Sequence, residues 1–170
     1  MKCRLVKIHS LSGKKASVYS LSIEEEKVTQ LEKFILENKC SFLSETIDIL
    51  KRLKTIGHKT GARIQYFKEF EGKPGDGVCA LFDNPDSKLR IYCILFGTQL
   101  LVVGGGGPKP KNISAFQEDK KLKDENYFLR WLSEQITQRI KEKEITFKNN
   151  YLDFSGDLEF HDYGEQDHEE

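Results

Sequence analysis

The stretch from Gly77 to Lys111 sets the tightest limit on what this chain can fold into. It holds three β-rich apolar runs, Val78–Phe82, Leu89–Leu95 and Leu100–Val103, separated by Asn84-Pro85-Asp86 and by Phe96-Gly97. Runs of this length between such punctuation predict a three-stranded antiparallel meander. Alternation along the middle strand sends Leu89, Ile91, Cys93 and Leu95 to one face and Arg90, Tyr92, Ile94 and Phe96 to the other. The first set is expected to face a core. The second carries a guanidinium and a phenol, and is expected to be partly open and able to meet an anion. After Val103 the pattern breaks into four glycines and Pro108-Lys109-Pro110-Lys111, which predicts a stiffened exit carrying two lysines beyond the sheet.

A chain of 170 residues with 38% hydrophobic content suffices for one core, and we expect one domain over residues 1–147. Its formal charge is zero, from 27 basic and 27 acidic residues, but the signs are segregated. Lys51 to Lys73 carries seven basic residues against two acidic ones, whereas residues 151–170 carry eight carboxylates and no Lys or Arg. Such opposed blocks fit nucleic-acid contact on one side and an acidic tail on the other, expected over 148–170 and partly disordered. Solvated faces that only maintain solubility are the competing reading.

Cysteines 3, 40, 79 and 93 lack C-x-x-C spacing and read as reduced thiols of a cytoplasmic protein. Neither a metal nor another cofactor is expected, because the glycine run lacks the G-x-x-x-x-G-K-[ST] pattern and no ligand cluster is apparent. No apolar run approaches the roughly 20 residues that span a bilayer.

Toward the N-terminus, Lys2–His9 and Ala16–Leu21 flank a turn-like break and suggest two short strands. Ser22-Ile23-Glu24-Glu25 has capping-box spacing and predicts a helix start, with Val28, Leu31, Phe34 and Ile35 as its apolar stripe. A second helix from Ser41 to Gly57 follows closely, so the two are expected to lie antiparallel. Ile64–Phe70 alternates like a strand. Ser114 to about Lys143 reads as a final helix, and Ile145–Phe160 as a further strand or cover.

Three pieces together resemble the RelE/ParE superfamily, toxins of type II toxin–antitoxin systems, and within it the HigB-like branch. They are Phe67-Lys68-Glu69-Phe70-Glu71-Gly72, similar to the family's basic entry into the sheet, Leu89-Arg90-Ile91-Tyr92, similar to its Y-R-I strand, and the exit Gly104–Lys111. The resemblance covers roughly residues 17 to 142. It implies an α+β fold: a RelE-like antiparallel β-sheet with an N-terminal helical hairpin on one face and a C-terminal helix. It also implies a helix-turn-helix antitoxin as partner, with ribosome-bound mRNA as the target of an endoribonuclease.

Family nucleases make the RNA's 2′-hydroxyl attack the adjacent phosphate, which requires a base, cations near the phosphorane oxygens and a proton donor for the leaving oxygen. By that resemblance Arg90 holds the phosphate and Lys109 or Lys111 stabilises the transition state. Tyr92 stacks on a base or passes a proton, and Lys68 lines the RNA path. His58 is a further chemical candidate, and Lys54, Lys59, Arg63 and Lys73 complete the basic segment that RNA would follow. The strand before the Y-R-I strand carries Cys79-Ala80-Leu81-Phe82 where many active members have E-L-R, so one cation of that site is missing. Two alternatives therefore stand beside the nuclease: a non-nuclease inhibitor of gyrase like the ParE branch, and an inactive binding protein on the same fold.

Overall fold

The computed structural model describes residues 1–68, 76–109 and 120–164. The fold is α+β. Its main sheet has seven strands: β1 (Cys3–Lys7), β2 (Ser17–Ile23), β3 (Phe67–Lys68), β4 (Val78–Leu81), β5 (Leu89–Phe96), β6 (Leu100–Pro108) and β9 (Glu159–Phe160), in the order β3-β4-β5-β6-β2-β1-β9. Strands β7 (Ile145–Lys148) and β8 (Asp153–Gly156) form a separate hairpin. The three helices are α1 (Gln30–Asn38), α2 (Leu43–Thr55) and α3 (Lys120–Lys141).

The expected meander forms as β4-β5-β6, with Cys79 opposite Cys93 and Phe96 opposite Leu100. The sheet is mixed rather than antiparallel, because β2 runs parallel to β6. That pairing lasts only from Ser17–Tyr19 against Leu100–Val102. Beyond it the strands part, and α1 begins in the gap. Buried Ser20 stitches the junction, its Oγ donating to Val103 O at 2.8 Å and accepting from Leu31 N at 3.1 Å.

Both sheet faces are covered, which corrects the expectation of one open face. Leu31, Phe34, Ile49 and Leu53 of α1 and α2 pack on Val18, Leu81, Ile91, Cys93, Leu101 and Val103. On the other face Leu122, Leu129, Leu132 and Ile136 of α3, with Ile145 and Phe154 of the hairpin, pack on Tyr19, Tyr92, Ile94 and Val102. A strand buried on both faces reads as a nearly continuous apolar run, which is what Ile91–Leu95 is. The β7–β8 hairpin is tied down by Phe154 N donating to the Tyr19 hydroxyl at 3.0 Å.

Three local expectations change. Ser22-Ile23 continues β2, and the helix start lies at Thr29, whose Oγ1 accepts from Glu32 N at 3.2 Å in a second T-x-x-E box. The segment after α2 does not stop at Gly57 but winds through a π-helical turn over Ile56–Thr60. Ile64–Tyr66 is a 3-10 turn, leaving only Phe67–Lys68 of the described residues as strand.

The glycine run is the largest correction. Gly104–Gly107 is not a break but the second half of β6, buried throughout. A side chain at Gly106 would collide with Arg90 O across the β5 bulge, and one at Gly105 would displace the Glu125 carboxylate. The glycines let neighbouring chain approach the strand rather than leave it. Ser114–Asp119, the expected start of the last helix, lies outside the described residues, as do Lys73 and Lys111.

Candidate functional site

At the end of the sheet marked by the β4–β5 turn, three cations from three strands converge on one carboxylate. Asp83 lies two residues past the end of β4, and its side chain is 4% exposed. Lys68 Nζ of β3 lies 2.6 Å from Asp83 Oδ1, and Lys109 Nζ, just after β6, lies 2.8 Å from Oδ2. Arg90 Nη2 of β5 lies 3.7 Å from the same Oδ2. Strand register explains the meeting: Lys68 pairs with Ala80 and Ala80 with Tyr92, so Lys68 and Arg90 share a face near the open end of β4.

The end of β6 is fixed there by Lys109 N donating to Lys88 O at 2.7 Å. Lys88 N in turn donates to Glu45 Oε1 at 2.6 Å, at the start of α2. Lys109 Nζ also donates to Asn84 O at 3.2 Å. These contacts hold the turn and both strand ends in place, so the cations are positioned by backbone rather than by their own flexible stems.

Burial by itself would raise the Asp83 pKa, but Lys109, Lys68 and Arg90 outweigh it and hold the carboxyl below its ordinary value. Asp83 is therefore ionised at neutral pH and a weak base. Among the described residues, one carboxylate among three cations leaves two net positive charges at the cluster. The Arg90 and Lys109 side chains, 11% and 16% exposed, are largely withdrawn from water, which strengthens their pull on an anion.

The sequence candidates divide by position. Arg90, Lys109 and Lys68 come together at the cluster. Tyr92 is fully buried beneath α3 and does not reach solvent. His58, Lys59 and Arg63 follow α2 to the opposite end of the sheet, where Ala62 N donates to Thr98 O at 2.7 Å. Lys54 also points to solvent, over the groove between α2 and the β1–β2 connection. The length of β5 separates Thr98 from Arg90, roughly 25 Å at about 3.3 Å per residue.

Asp83 escaped the sequence reading, which took Phe82 as the end of a run and Asn84-Pro85-Asp86 as a turn. No local pattern marks it: β4 carries no charge, Asp86 lies in the same connection, and only the pairing of β3, β4 and β5 brings Lys68 and Arg90 to Asp83.

The cluster adjoins a cleft of about 430 Å³ between α2, the 3-10 turn and the Phe82–Ser87 segment. Tyr66, Phe82, Gln65, Asn84 and Ser87 line it, and Arg52 closes one side with Nε 3.0 Å from Asp48 Oδ2 and Nη1 donating to Phe82 O. Among the described residues no group of His, Cys, Asp and Glu is arranged to hold a metal ion, and no helix is long and apolar enough to cross a membrane. No family model, curated protein or solved structure matches this chain.

Proposed function

We propose that the protein binds the phosphodiester backbone of RNA at Lys68, Arg90 and Lys109, and acts as a RelE/ParE-like toxin that cleaves ribosome-bound mRNA. The convergence of these three cations on a single point carries the reading. All three are among the residues that the motif resemblance carries into the site, together with Tyr92, which is buried, and Lys111, which lies outside the described residues. An incoming phosphate is drawn by the two net positive charges and competes with Asp83 for its partners.

In the cleavage step the 2′-hydroxyl gives its proton to solvent water as its oxygen attacks the neighbouring phosphorus, and the bond to the 5′-oxygen breaks, leaving a cyclic phosphate. Negative charge grows on the non-bridging oxygens, and Arg90 and Lys109 stabilise it. Lys68 or Lys109 can deliver a proton to the leaving oxygen. Asp83 is the carboxylate nearest the cations, but its depressed pKa makes it a slow proton acceptor. Its main service in this scheme is to hold the cations at one point when no phosphate is bound.

A second reading, an RNA-binding or gyrase-inhibiting protein without cleavage, is favoured by the same fact: no stronger base stands among the described residues of the cluster. A helix-turn-helix antitoxin is the partner proposed under both toxin readings.

Induced expression in bacteria separates the readings. Growth arrest with mRNA cut only where ribosomes are translating supports the nuclease, and Lys109→Ala should relieve both. Arrest with intact mRNA supports the inhibitor, and unimpaired growth supports the binding protein.

A further inference from the structure

We infer that the cleft beside the cation cluster is a nucleobase site, taking one unpaired base of the RNA whose phosphate lies at Lys68 and Lys109. The inference rests on the reading of the cluster as a phosphate site and adds the part of the ligand that the cluster cannot hold.

Cluster and cleft share a wall. Asn84 lines the cleft while its carbonyl accepts from Lys109 Nζ at 3.2 Å. Phe82 also lines it, and Lys68 Nζ lies 5.9 Å from the centre of its ring. The cleft is thus bounded by two residues that themselves contact Lys109 and Lys68, so a base in the cleft and a phosphate at the cluster would lie side by side.

The lining suits a flat heterocycle. Phe82 is 45% exposed, although it is a large apolar side chain in a segment otherwise rich in polar residues. With half-buried Tyr66 it offers aromatic surface to stack on. The Arg52 guanidinium is held from two sides, by Asp48 and by Phe82 O, so its plane is presented without further ordering. Gln65, Asn84 and Ser87 supply donors and acceptors for base edges. At about 430 Å³ the cleft has room for one base with its ribose but not for a duplex. Stacking platforms of this kind, set beside a cationic track, are how single strands are held.

The test compares two short probes on the full-length protein, an oligoribonucleotide and an abasic oligomer with the same sugar–phosphate backbone. The intact RNA should bind about tenfold or more tightly than the abasic probe, the scale of one stacked base. Phe82→Ala and Tyr66→Ala should each remove most of that advantage and leave abasic binding unchanged. Equal binding of both probes to the unaltered protein would overturn the base site while leaving the phosphate reading intact. Failure of both probes to bind would overturn the two together. Should either alanine variant misfold, photo-crosslinking of 4-thiouridine RNA to the unaltered protein decides. Adducts on Tyr66 or Phe82 support the site, and adducts confined to other residues refute it.

Discussion

Asp83 and Glu125 are two poorly exposed carboxylates with opposite consequences for stability. Asp83 is held below its ordinary pKa of 3.8, so its ion pairs add stability above that value and lose it as pH falls through the folded-state value. Glu125 is raised, first by burial and then by Glu37 and Glu26, against the opposing pull of Lys121 and Lys33. A raised carboxyl favours folding when protonated, so its contribution is greatest below the ordinary value of 4.5 and is lost as pH rises through the folded one. Asp83→Asn should therefore destabilise at neutral pH, by up to about 3 kcal/mol because Lys68 can still turn to water. Its stability should also fall less on acidification below pH 4. Glu125→Gln should be neutral or stabilising at pH 7, with the difference fading as the pH drops. Urea denaturation across this range checks both signs. On β5, Ile91→Ala should cost about 2–5 kcal/mol by opening a cavity beneath α1 and α2. Arg90→Ala, at the edge of the cluster, should cost about 1 kcal/mol or less. A reversed order would mean that the two residues have exchanged faces.

At the scale of elements, β6 makes Gly106 a structural requirement. Any side chain at Gly106 meets the backbone of β5 at Arg90 O, which cannot move aside without breaking the ladder at the Ile91–Cys93 bulge. At Gly107 the nearest atom is Lys121 Cε at 3.2 Å, the end of a flexible chain. Gly106→Ala should lower the melting temperature sharply, by the 1–3 kcal/mol of an overpacked core or more. Gly107→Ala should stay within about 0.5 kcal/mol. This contrast also shows what was legible in the sequence. Strand runs and turns from Val78 to Val103 could be read because alternation and Asn-Pro-Asp punctuation are local signals. The role of Gly104–Gly107 could not, because a glycine that breaks a strand and one that admits a neighbour look alike until that neighbour is placed. The first helix shows the same limit. Ser22-Ile23-Glu24-Glu25 and Thr29-Gln30-Leu31-Glu32 carry the same capping pattern, and only the pairing of β2 with β1 takes Ser22 out of contention. Arg90 and Lys68 were visible as cations on strands and Lys109 as one on the exit beyond the sheet, whereas Asp83 acquires meaning only from the register that gathers them.

For the whole molecule, the consequence of the fold is that one basic segment in sequence becomes two basic regions in space. Lys68 joins Arg90 and Lys109 at one end of the sheet, while His58, Lys59 and Arg63 lie toward the other, past Thr98. With 27 charges of each sign the molecule has no net charge to draw RNA to its surface at large, so under the proposed function binding depends on local groups. Each phosphate neutralised by a cation releases counterions, and for single strands log K falls with log salt by about 0.7 per contact. A 5′-phosphorylated trinucleotide, with three phosphates and too short to reach from Arg90 to Thr98, should therefore show a slope near −2 when each phosphate is met by one of Lys68, Arg90 and Lys109. Lys109→Ala should reduce that slope by about 0.7, whereas Lys54→Ala, Lys59→Ala and Arg63→Ala combined should leave it unchanged. A strand long enough to span β5 should begin to respond to the combined variant if RNA follows the sheet from one end to the other. Titrations over a salt series with both probe lengths measure these slopes directly. Loss of slope for the trinucleotide in the combined variant would place RNA at the far end of the sheet and leave the Asp83 cluster as a structural ion-pair network.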